Sequence, residues 1–493
     1  MNQSNHVSIK RNTIYNAIKT ISSILFPLVI FPYVSRVLLP ENFGKVNFGT
    51  SIVSYFSLLA TLGISTYAIR ACSAVRNDDK ALEDTASQIF SISIVTTVIA
   101  YFFLMLFLFA NNKLEDYRHL IAIQSLSILA TTVGADWLNS AMEDFRFITV
   151  RTVAFQFISL LLVFIFVRRP EDYLKFAVIS MISSAGASVL NVWHRQRFCR
   201  VHLIIDLIHG IEWKRHMIPI MSLFTMLLSQ QILNNLDVSM LGFMKGDREV
   251  GLYSTAMKIY NLVTQAILSI TWVVLPRLTI SFNNKDYNRI NALLNSVVDF
   301  TLCLGLPCFV GLFILADDVL MAIAGGEFVE ASECLMILSV SMIFMFLINI
   351  FGNLVLLPKG EDKTFTIAWI AAMAFNIISN AYFIPRCGII GAAITTLLAN
   401  MIVAIICIIN VDKAVDFGNK KQHFIPPIIG TILVGVICIL SKIIVGNSII
   451  TIVVSIIISI IVYVTVLILC RYQLVVTTLN SVVGVLNRKK NKD

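Results

Sequence analysis

Residues 448–470 read SIITIVVSIIISIIVYVTVLILC, and none of these 23 residues carries a charge. A helix of this length rises about 35 Å, which is enough to cross the ~30 Å hydrocarbon core of a bilayer. Backbone polar groups inside hydrocarbon must be hydrogen-bonded within the chain, and a continuous helix satisfies them. The segment therefore predicts a transmembrane helix.

Similar apolar runs recur from one end of the chain to the other, with short polar breaks between them. The 493 residues are 57% hydrophobic and 14% charged, and the mean hydropathy is +0.83, outside the range of soluble globular proteins. We predict an all-α polytopic membrane protein with about 14 transmembrane helices. The predicted spans are 12–37, 46–69, 85–110, 119–140, 148–167, 174–193, 217–243, 250–275, 292–315, 332–357, 365–384, 388–410, 424–444 and 448–470.

The distribution of basic residues predicts the orientation in the membrane. An even number of spans places both termini on one side. If that side is the cytoplasm, it carries 25 of the 38 Lys and Arg residues, and the outer side carries 11. We therefore expect cytoplasmic termini, with residues 471–493 forming a basic cytoplasmic tail. The net charge of +9 is mostly this bias, and anionic membrane lipid explains it better than nucleic acid does.

The polar breaks exclude several functional classes. None exceeds about two dozen residues, which leaves no room for a soluble catalytic or nucleotide-binding domain. A GxxxxGK[ST] phosphate loop is absent, so the chain is not a complete ATP-driven pump by itself. The seven histidines and nine cysteines show no metal-ligand spacing, and no nucleophile has an evident base. We expect no enzyme activity, no catalytic residue, no metal and no cofactor.

The longest break, residues 194–216, predicts the domain organisation. It opens with a basic cluster and continues with apolar residues at helical spacing, which predicts an amphipathic helix on the cytoplasmic surface. We predict an N-terminal six-helix lobe over 1–193, an interlobe linker over 194–216, a C-terminal six-helix lobe over 217–410, and two additional transmembrane helices over 424–470.

Two stretches favour an internal repeat. Residues 34–53, VSRVLLPENFGKVNFGTSIV, resemble residues 238–260, VSMLGFMKGDREVGLYSTAMKIY, once a three-residue insertion is allowed. In each, a span ends in Val-Ser, and a glycine, Gly44 or Gly251, follows an acidic residue at the start of the next span. Parallel repeats of six spans are a known transporter plan, with the substrate site between halves. The alternative, that any two hydrophobic hairpins look alike, stays open.

Ionisable side chains inside a span are costly, so each is a candidate for function. Lys19 and Lys258 lie deepest, in spans one and eight, and each either lines a cavity or extends its side chain to the headgroups. Asp237 lies late in span seven beside Asn234 and Asn235, and this cluster is too costly to face lipid. Three roles are open for Asp237: a proton or cation site, a counter-charge to Lys258, or a polar contact between helices.

Other charged residues lie nearer the ends of the spans. Arg36 and Arg70 lie at opposite ends of spans one and two, where anchoring in the headgroups is the favoured interpretation. Asp136 and Asp299 lie near cytoplasmic ends, where we expect structural roles.

Two long stretches resemble a known family. Residues 15–70, which begin YNAIKTISSILFPLVIFPYVSRVLLPENFGK, resemble the opening of the polysaccharide transporter family, the Wzx-type O-antigen and capsule repeat-unit flippases of the multidrug/oligosaccharidyl-lipid/polysaccharide exporter superfamily. Residues 376–400 are similar to that family's pattern through Asn376, Asn380, Ile384, Pro385, Gly388, Gly391, Ala392, Ala393 and Thr396. LLPKGEDK, residues 356–363, falls in the expected break between spans ten and eleven. The resemblance covers nearly the whole chain.

The resemblance implies a fold and a cargo. The fold is two six-helix lobes in a V around a central cavity plus two C-terminal helices, working by alternating access. The cargo is an undecaprenyl-diphosphate-linked oligosaccharide repeat unit of an O-antigen, capsule or exopolysaccharide, moved from the cytoplasmic to the outer leaflet of a bacterial cytoplasmic membrane. Membrane lipids, a polysaccharide polymerase and a chain-length regulator are the further partners it implies.

No family motif identifies the site residues, so physical chemistry selects the candidates. Basic side chains suit the diphosphate, amides suit sugar hydroxyls, and a buried carboxylate suits a coupling ion. The candidates are Lys19, Arg36 and Lys258 for the diphosphate, Asn234 and Asn235 for the sugar, and Asp237 for the ion.

The nearest alternative is a cation-coupled drug or metabolite antiporter of the same superfamily. A cation exporter is expected to place uncompensated carboxylates in its cavity, whereas the deepest charges here are lysines. A polytopic membrane enzyme is a further alternative, although it would be expected to carry a sizeable extramembrane loop. A structural scaffold of an assembly complex is the last.

Overall fold

The computed structural model describes residues 9–206, 210–411, 420–472 and 474–475. Every regular element in these ranges is helical. The chain divides into two compact units, Met1–Gly251 and Leu252–Asp493. The lobe boundaries predicted at residues 193 and 217 differ from this division and stay a prediction. Most of the predicted tail, 471–493, lies outside the described residues.

The first unit contains eight helices and the start of a ninth. Two of them begin at an aspartate whose carboxylate accepts backbone N–H bonds: Asp78 at the start of α3 and Asp144 at the start of α6. Such caps satisfy donors that the first helical turn leaves unpaired. The helices are α1 Ile9–Thr61, α2 Ile64–Ala74, α3 Asp79–Ala110, α4 Arg118–Gly134, α5 Asp136–Ala141, α6 Phe145–Phe166, α7 Tyr173–His194, α8 Trp213–Met244 and α9 Asp247–Leu268.

The second unit holds the rest of α9 and all later helices. A π-helix, Ile348–Leu356, follows α13 and carries the chain into α14. The helices are α10 Thr271–Asn283, α11 Tyr287–Ile314, α12 Ala316–Ile323, α13 Ser332–Leu347, α14 Leu357–Lys359, α15 Asp362–Ile409, α16 Lys420–Val445 and α17 Ser448–Leu469.

The longest helical runs, α1 and α15, each reverse direction once. Leu39, ahead of Pro40, has φ 61° and ψ 169°. The rings of Phe31 and Phe43 lie 5.9 Å apart across it, whereas twelve residues of straight helix would separate them by about 18 Å. In α15 the non-helical residue is Gly388, with φ 54°, a conformation that glycine adopts without steric penalty. The run α15 therefore corresponds to predicted spans eleven and twelve, and α1 corresponds to the first predicted span and most of the second.

Nine helical segments in the described part of the chain are long and apolar enough to cross a membrane. The number rises to ten if α9 and α10, bent by 51° at their junction, form one span. Length and hydropathy therefore do not confirm the predicted count of fourteen. Large apolar side chains are exposed along these helices, among them Phe102, Ile443 and Ile461. We expect these exposed apolar side chains to contact lipid and not water.

The predicted amphipathic helix between spans six and seven is wrong. Residues 198–206 and 210–212 contain no helix. The backbone N–H of His202 donates to Ser87 Oγ (3.3 Å), and that of Ile204 donates to Ser91 Oγ (2.9 Å). Side chains of α3 therefore take the hydrogen bonds that a helix would have made within the segment.

The repeated stretches pack against each other within the first unit. A Cβ placed on Gly44 would lie 1.8 Å from the backbone oxygen of Asp247, and one placed on Gly251 would lie 1.9 Å from the backbone oxygen of Pro40. Under the three-residue insertion Gly44 aligns with Gly251, and Pro40 aligns with Asp247. Reciprocal contacts of this kind are what a twofold axis produces, so the geometry favours a true repeat.

Candidate functional site

A polar cluster joins the second half of α1 to α8. Ser239 Oγ lies 3.0 Å from Ser51 Oγ and 3.2 Å from the Tyr55 hydroxyl. Asp237, two residues earlier on α8, is buried and lies within electrostatic range of that hydroxyl. The amide of Asn235 donates to the backbone oxygen of Gln231 on its own helix, at 3.1 Å. Burial of Asp237 beside hydroxyl groups agrees with the expectation that this cluster does not face lipid.

The basic candidates of the first unit lie far apart. Lys19 is half-buried in the first half of α1, and Arg36 is exposed near the end of that half. Seventeen residues of helix separate them by about 25 Å, more than the reach of their two side chains together. One diphosphate group therefore cannot contact both. The side chain of Asn234 lies outside the described residues.

In the second unit, Lys258 is half-buried on α9. Tyr253, on the same helix, places its hydroxyl 3.2 Å from Thr396 Oγ1 of α15. On the π-helix, Asn349 donates from Nδ2 to Thr271 Oγ1 at 2.7 Å. Short π-helical turns often mark functional positions, and this unit has polar side-chain contacts in addition to the predicted lysine.

A second feature of the first unit was not predicted: a cavity of about 520 Å³ at the C-terminal end of α2 and the N-terminal end of α8, called here the inner cavity because the predicted orientation places it on the cytoplasmic side. Its polar lining consists of Tyr67, Arg70, Thr85, Arg215 and His216, and no carboxylate is among the described lining residues. Arg70 is exposed. Two guanidinium groups at one cavity suit a phosphate-bearing ligand, because each can donate two parallel hydrogen bonds to it.

The wall of the inner cavity is held by a buried hydrogen-bond chain. The amide nitrogen of Gln88 donates to Asp84 at 2.9 Å, so its Oε1 is an acceptor, and it accepts a hydrogen bond from His216 Nε2–H at 3.1 Å. The Tyr67 hydroxyl then donates to His216 Nδ1 at 2.8 Å. Burial, helped by the nearby Arg215, lowers the pKa of His216, which lies just ahead of the predicted span. The ring is therefore neutral at neutral pH and serves to fix Tyr67 and α8.

Two residues of the family pattern in α15, Asn376 and Asn380, are buried together with Thr395. Asn380 donates from Nδ2 to Asn376 Oδ1 at 3.0 Å and accepts a hydrogen bond from the Thr395 hydroxyl. All three are at most 1% exposed. Because Thr395 follows the reversal at Gly388, the network joins the two halves of α15. These three residues therefore stabilise the hairpin.

Asp136 and Asp299 have the structural surroundings expected of them. Asp136 accepts two hydrogen bonds from the buried Arg151, at 3.0 and 2.8 Å. Asp299 accepts from the Tyr472 hydroxyl at 2.8 Å and pairs with His423 at 2.5 Å. Over the described residues, no three His, Cys, Asp or Glu side chains are grouped as a metal site would require.

Residues 9–282, more than half of the chain, match the family model described as polysaccharide biosynthesis protein. The chain belongs to this family. Residues 214–469 also match the model described as lipid II flippase MurJ. The resemblance seen in the sequence is therefore confirmed, and the chain is a multi-pass membrane protein.

Individual relatives agree with this assignment. A protein of Escherichia coli (strain K12), named for O-antigen transport, is 25% identical over 81% of this chain and 95% of its own length. The solved structure of lipid II flippase MurJ in an inward closed conformation has a TM-score of 0.72, at 17% identity, and covers 93% of this chain and 99% of that one. An inward-facing multidrug resistance MATE family transporter has a TM-score of 0.57, at 14% identity, over 81% of this chain and 96% of that one. Both likenesses show the fold, which confirms the predicted all-α fold class.

Proposed function

We propose that this protein is a flippase that moves an undecaprenyl-diphosphate-linked oligosaccharide repeat unit from the cytoplasmic to the outer leaflet. The match of residues 9–282 to the polysaccharide biosynthesis family carries the proposal. The names of the relative and of the solved flippase point to the same class of cargo, a glycan precursor. The protein is not an enzyme under this proposal, because its task is transport.

The inner cavity favours an anionic cargo over the cationic drugs of the antiporter alternative. Two guanidinium groups line it, and one of them, Arg215, also donates to the exposed Glu212 at 3.0 Å. Arg70 is then the better candidate for the first contact with the diphosphate. A cavity that selects cations would be expected to present carboxylates instead. Lys19, Arg36 and Lys258 stay candidates for later contacts along the path, with Asn234 and Asn235 for the sugar.

The test is a flipping assay with purified protein in proteoliposomes. A fluorescent undecaprenyl-diphosphate-linked oligosaccharide is the cargo, and loss of access to a glycosidase added outside reports its movement. Arg70→Gln should slow transport by about 10- to 100-fold, the equivalent of one charge-assisted hydrogen-bonding group. Arg277→Gln, a change at an exposed arginine of the second unit, is the matched control.

Two outcomes would contradict the proposal. Wild-type protein that moves no lipid-linked oligosaccharide but exchanges cationic drugs for protons is an antiporter. Equal slowing by Arg70→Gln and Arg277→Gln would remove the inner cavity from the path while leaving the cargo assignment intact.

Asp237 is the candidate for coupling to a proton or cation gradient. Its carboxylate is buried near the hydroxyl groups of Tyr55 and Ser239. If protons couple there, wild-type transport depends on pH and transport by Asp237→Asn does not. Unchanged pH dependence in the variant assigns Asp237 to helix packing.

Further parts of the proposal concern location and partners. We place the protein in the bacterial cytoplasmic membrane with cytoplasmic termini, on the 25 to 11 excess of basic residues. A polysaccharide polymerase and a chain-length regulator are the proposed partners, since a repeat unit delivered outside must be joined to others. Fusion of a reporter that is active only outside to either terminus should give no signal, and a signal there would invert the topology.

A further inference from the structure

A second basic cavity lies in the first unit, away from the inner cavity. It has a volume of about 510 Å³ and lies where the start of α1, the first turns of α6 and the end of α7 meet. Its polar lining is Arg11, Asn12, Glu143, Asp144, Arg146, His194 and Arg197. We call it the arginine cavity.

The two carboxylates of the arginine cavity are already engaged. Glu143 Oε1 lies 2.8 Å from Arg76 Nη1, outside the cavity lining. Asp144 lies 2.8 Å from His194 Nε2 and also caps α6. The three lining arginines are exposed, and within the described residues none of their guanidinium groups has an ion pair or hydrogen bond. With Arg76 counted against Glu143, the three arginines and Asp144 leave an excess of at least two positive charges at the cavity.

The position of the cavity points to the surface of the bilayer. Trp193, 66% exposed at the end of α7, adjoins His194, and exposed indole rings prefer the headgroup region. Val150 forms part of the lining and is itself exposed. From it an exposed apolar stripe continues along α6 through Phe157 and Leu161, at helical spacing. A ligand with a charged head and a long apolar tail would match both features.

We propose that the arginine cavity binds the phosphate group of an anionic phospholipid, whose acyl chains lie along the α6 stripe. Guanidinium groups form paired hydrogen bonds to phosphate oxygens, and basic pockets between helices at the membrane surface suit such headgroups. The apolar side chains of Phe147 and Val150 inside the lining suit the glycerol and upper chain atoms better than they suit a free ion.

The test measures lipid binding to the purified full-length protein in mild detergent by native mass spectrometry. Phosphatidylglycerol should bind more tightly than phosphatidylcholine, which has the same phosphate but no net charge. Each of Arg11→Gln, Arg146→Gln and Arg197→Gln should weaken phosphatidylglycerol binding about fivefold, and the triple variant about a hundredfold. The control Arg277→Gln should leave it unchanged, and the triple Arg→Lys variant should retain most of it.

Three results would overturn the proposal. Equal binding of phosphatidylglycerol and phosphatidylcholine would show that the net charge of the lipid does not matter. If Arg277→Gln weakened phosphatidylglycerol binding as much as the cavity variants do, the binding would depend on overall surface charge and not on the arginine cavity. Inorganic phosphate that binds at millimolar concentration with the same dependence on the arginines would make free phosphate the ligand. If the triple variant fails to fold, the single variants decide. Because no oligosaccharide is used, failure here is distinct from failure of the flippase proposal.

Discussion

The close approach of Gly44 and Gly251 to the opposite backbone gives the sharpest prediction. A Cβ at Gly44 would lie 1.8 Å from the oxygen of Asp247, whereas an ordinary carbon–oxygen contact needs about 3.3 Å. The two backbones would have to separate by about 1.5 Å, and a backbone oxygen cannot rotate away. Overpacking lowers the free energy of unfolding by up to about 3 kcal/mol. The higher helix propensity of alanine relative to glycine raises it by up to about 1 kcal/mol. Gly44→Ala should therefore lower the free energy of unfolding by about 2 kcal/mol.

The reciprocal contact makes a double-mutant cycle informative. Gly251→Ala should cost a similar amount, because its Cβ would lie 1.9 Å from the oxygen of Pro40. Since either change separates the same two segments, the double variant should cost about as much as one single variant and not the sum of both. Gly311→Ala is the matched control: no atom lies within 4 Å of its Cβ position, so it should be neutral or stabilising.

The assay is equilibrium unfolding in mixed micelles with increasing sodium dodecyl sulfate, followed by tryptophan fluorescence. A Gly44→Ala protein as stable as the wild type would refute the close contact. Additive losses in the double variant would refute the shared, reciprocal geometry and with it the structural support for the repeat.

Three further changes test other parts of the fold by the same unfolding assay. Arg151→Gln should cost about 3 kcal/mol, because Asp136 loses two charged hydrogen bonds; a loss under about 1 kcal/mol would contradict this. The lysine partner and the backbone donors of Asp172 lower its pKa to about 2. The contribution of the ionised Asp172 carboxylate to the stability of the fold is therefore present above about pH 4 and is lost as pH falls toward 2. The stability difference between wild type and Asp172→Asn should accordingly vanish over that window, and a difference that persists at pH 2 would exclude the carboxylate as its source. Asn380→Ala should cost about 2 kcal/mol by removing the buried hydrogen bonds of Asn380 to Asn376 and Thr395, while transport per folded molecule stays normal; a selective loss of transport would make it a site residue.

A run of about twenty apolar residues predicts a helix, because a helix satisfies its backbone polar groups in lipid, although the number of spans predicted in this way is not confirmed. The breaks predicted between spans one and two and between spans eleven and twelve fall where α1 and α15 reverse, at Leu39 and Gly388. The failed prediction at residues 198–206 has a different origin. Apolar spacing there is equally compatible with an extended segment, and only the packed position of Ser87 and Ser91 on α3 decides between the two.

The site was harder to predict because its parts are distant in sequence. Arg70 and Arg215 line one cavity although 145 positions separate them, and no local pattern reports that proximity. The network of Asn380 and Thr395 did leave a signal, since the two residues lie eight positions before and seven after Gly388. A reversal at that glycine brings them level, so the hairpin alone predicts their contact.

The most direct test of the central claim follows the cargo in cells that lack this gene. The radiolabelled lipid-linked repeat is located by its access to an enzyme added outside, and surface polysaccharide is measured in the same cells. The flippase account predicts that surface polymer disappears while completed repeat units accumulate on the cytoplasmic leaflet. Persistent polymer together with increased sensitivity to cationic drugs would contradict it.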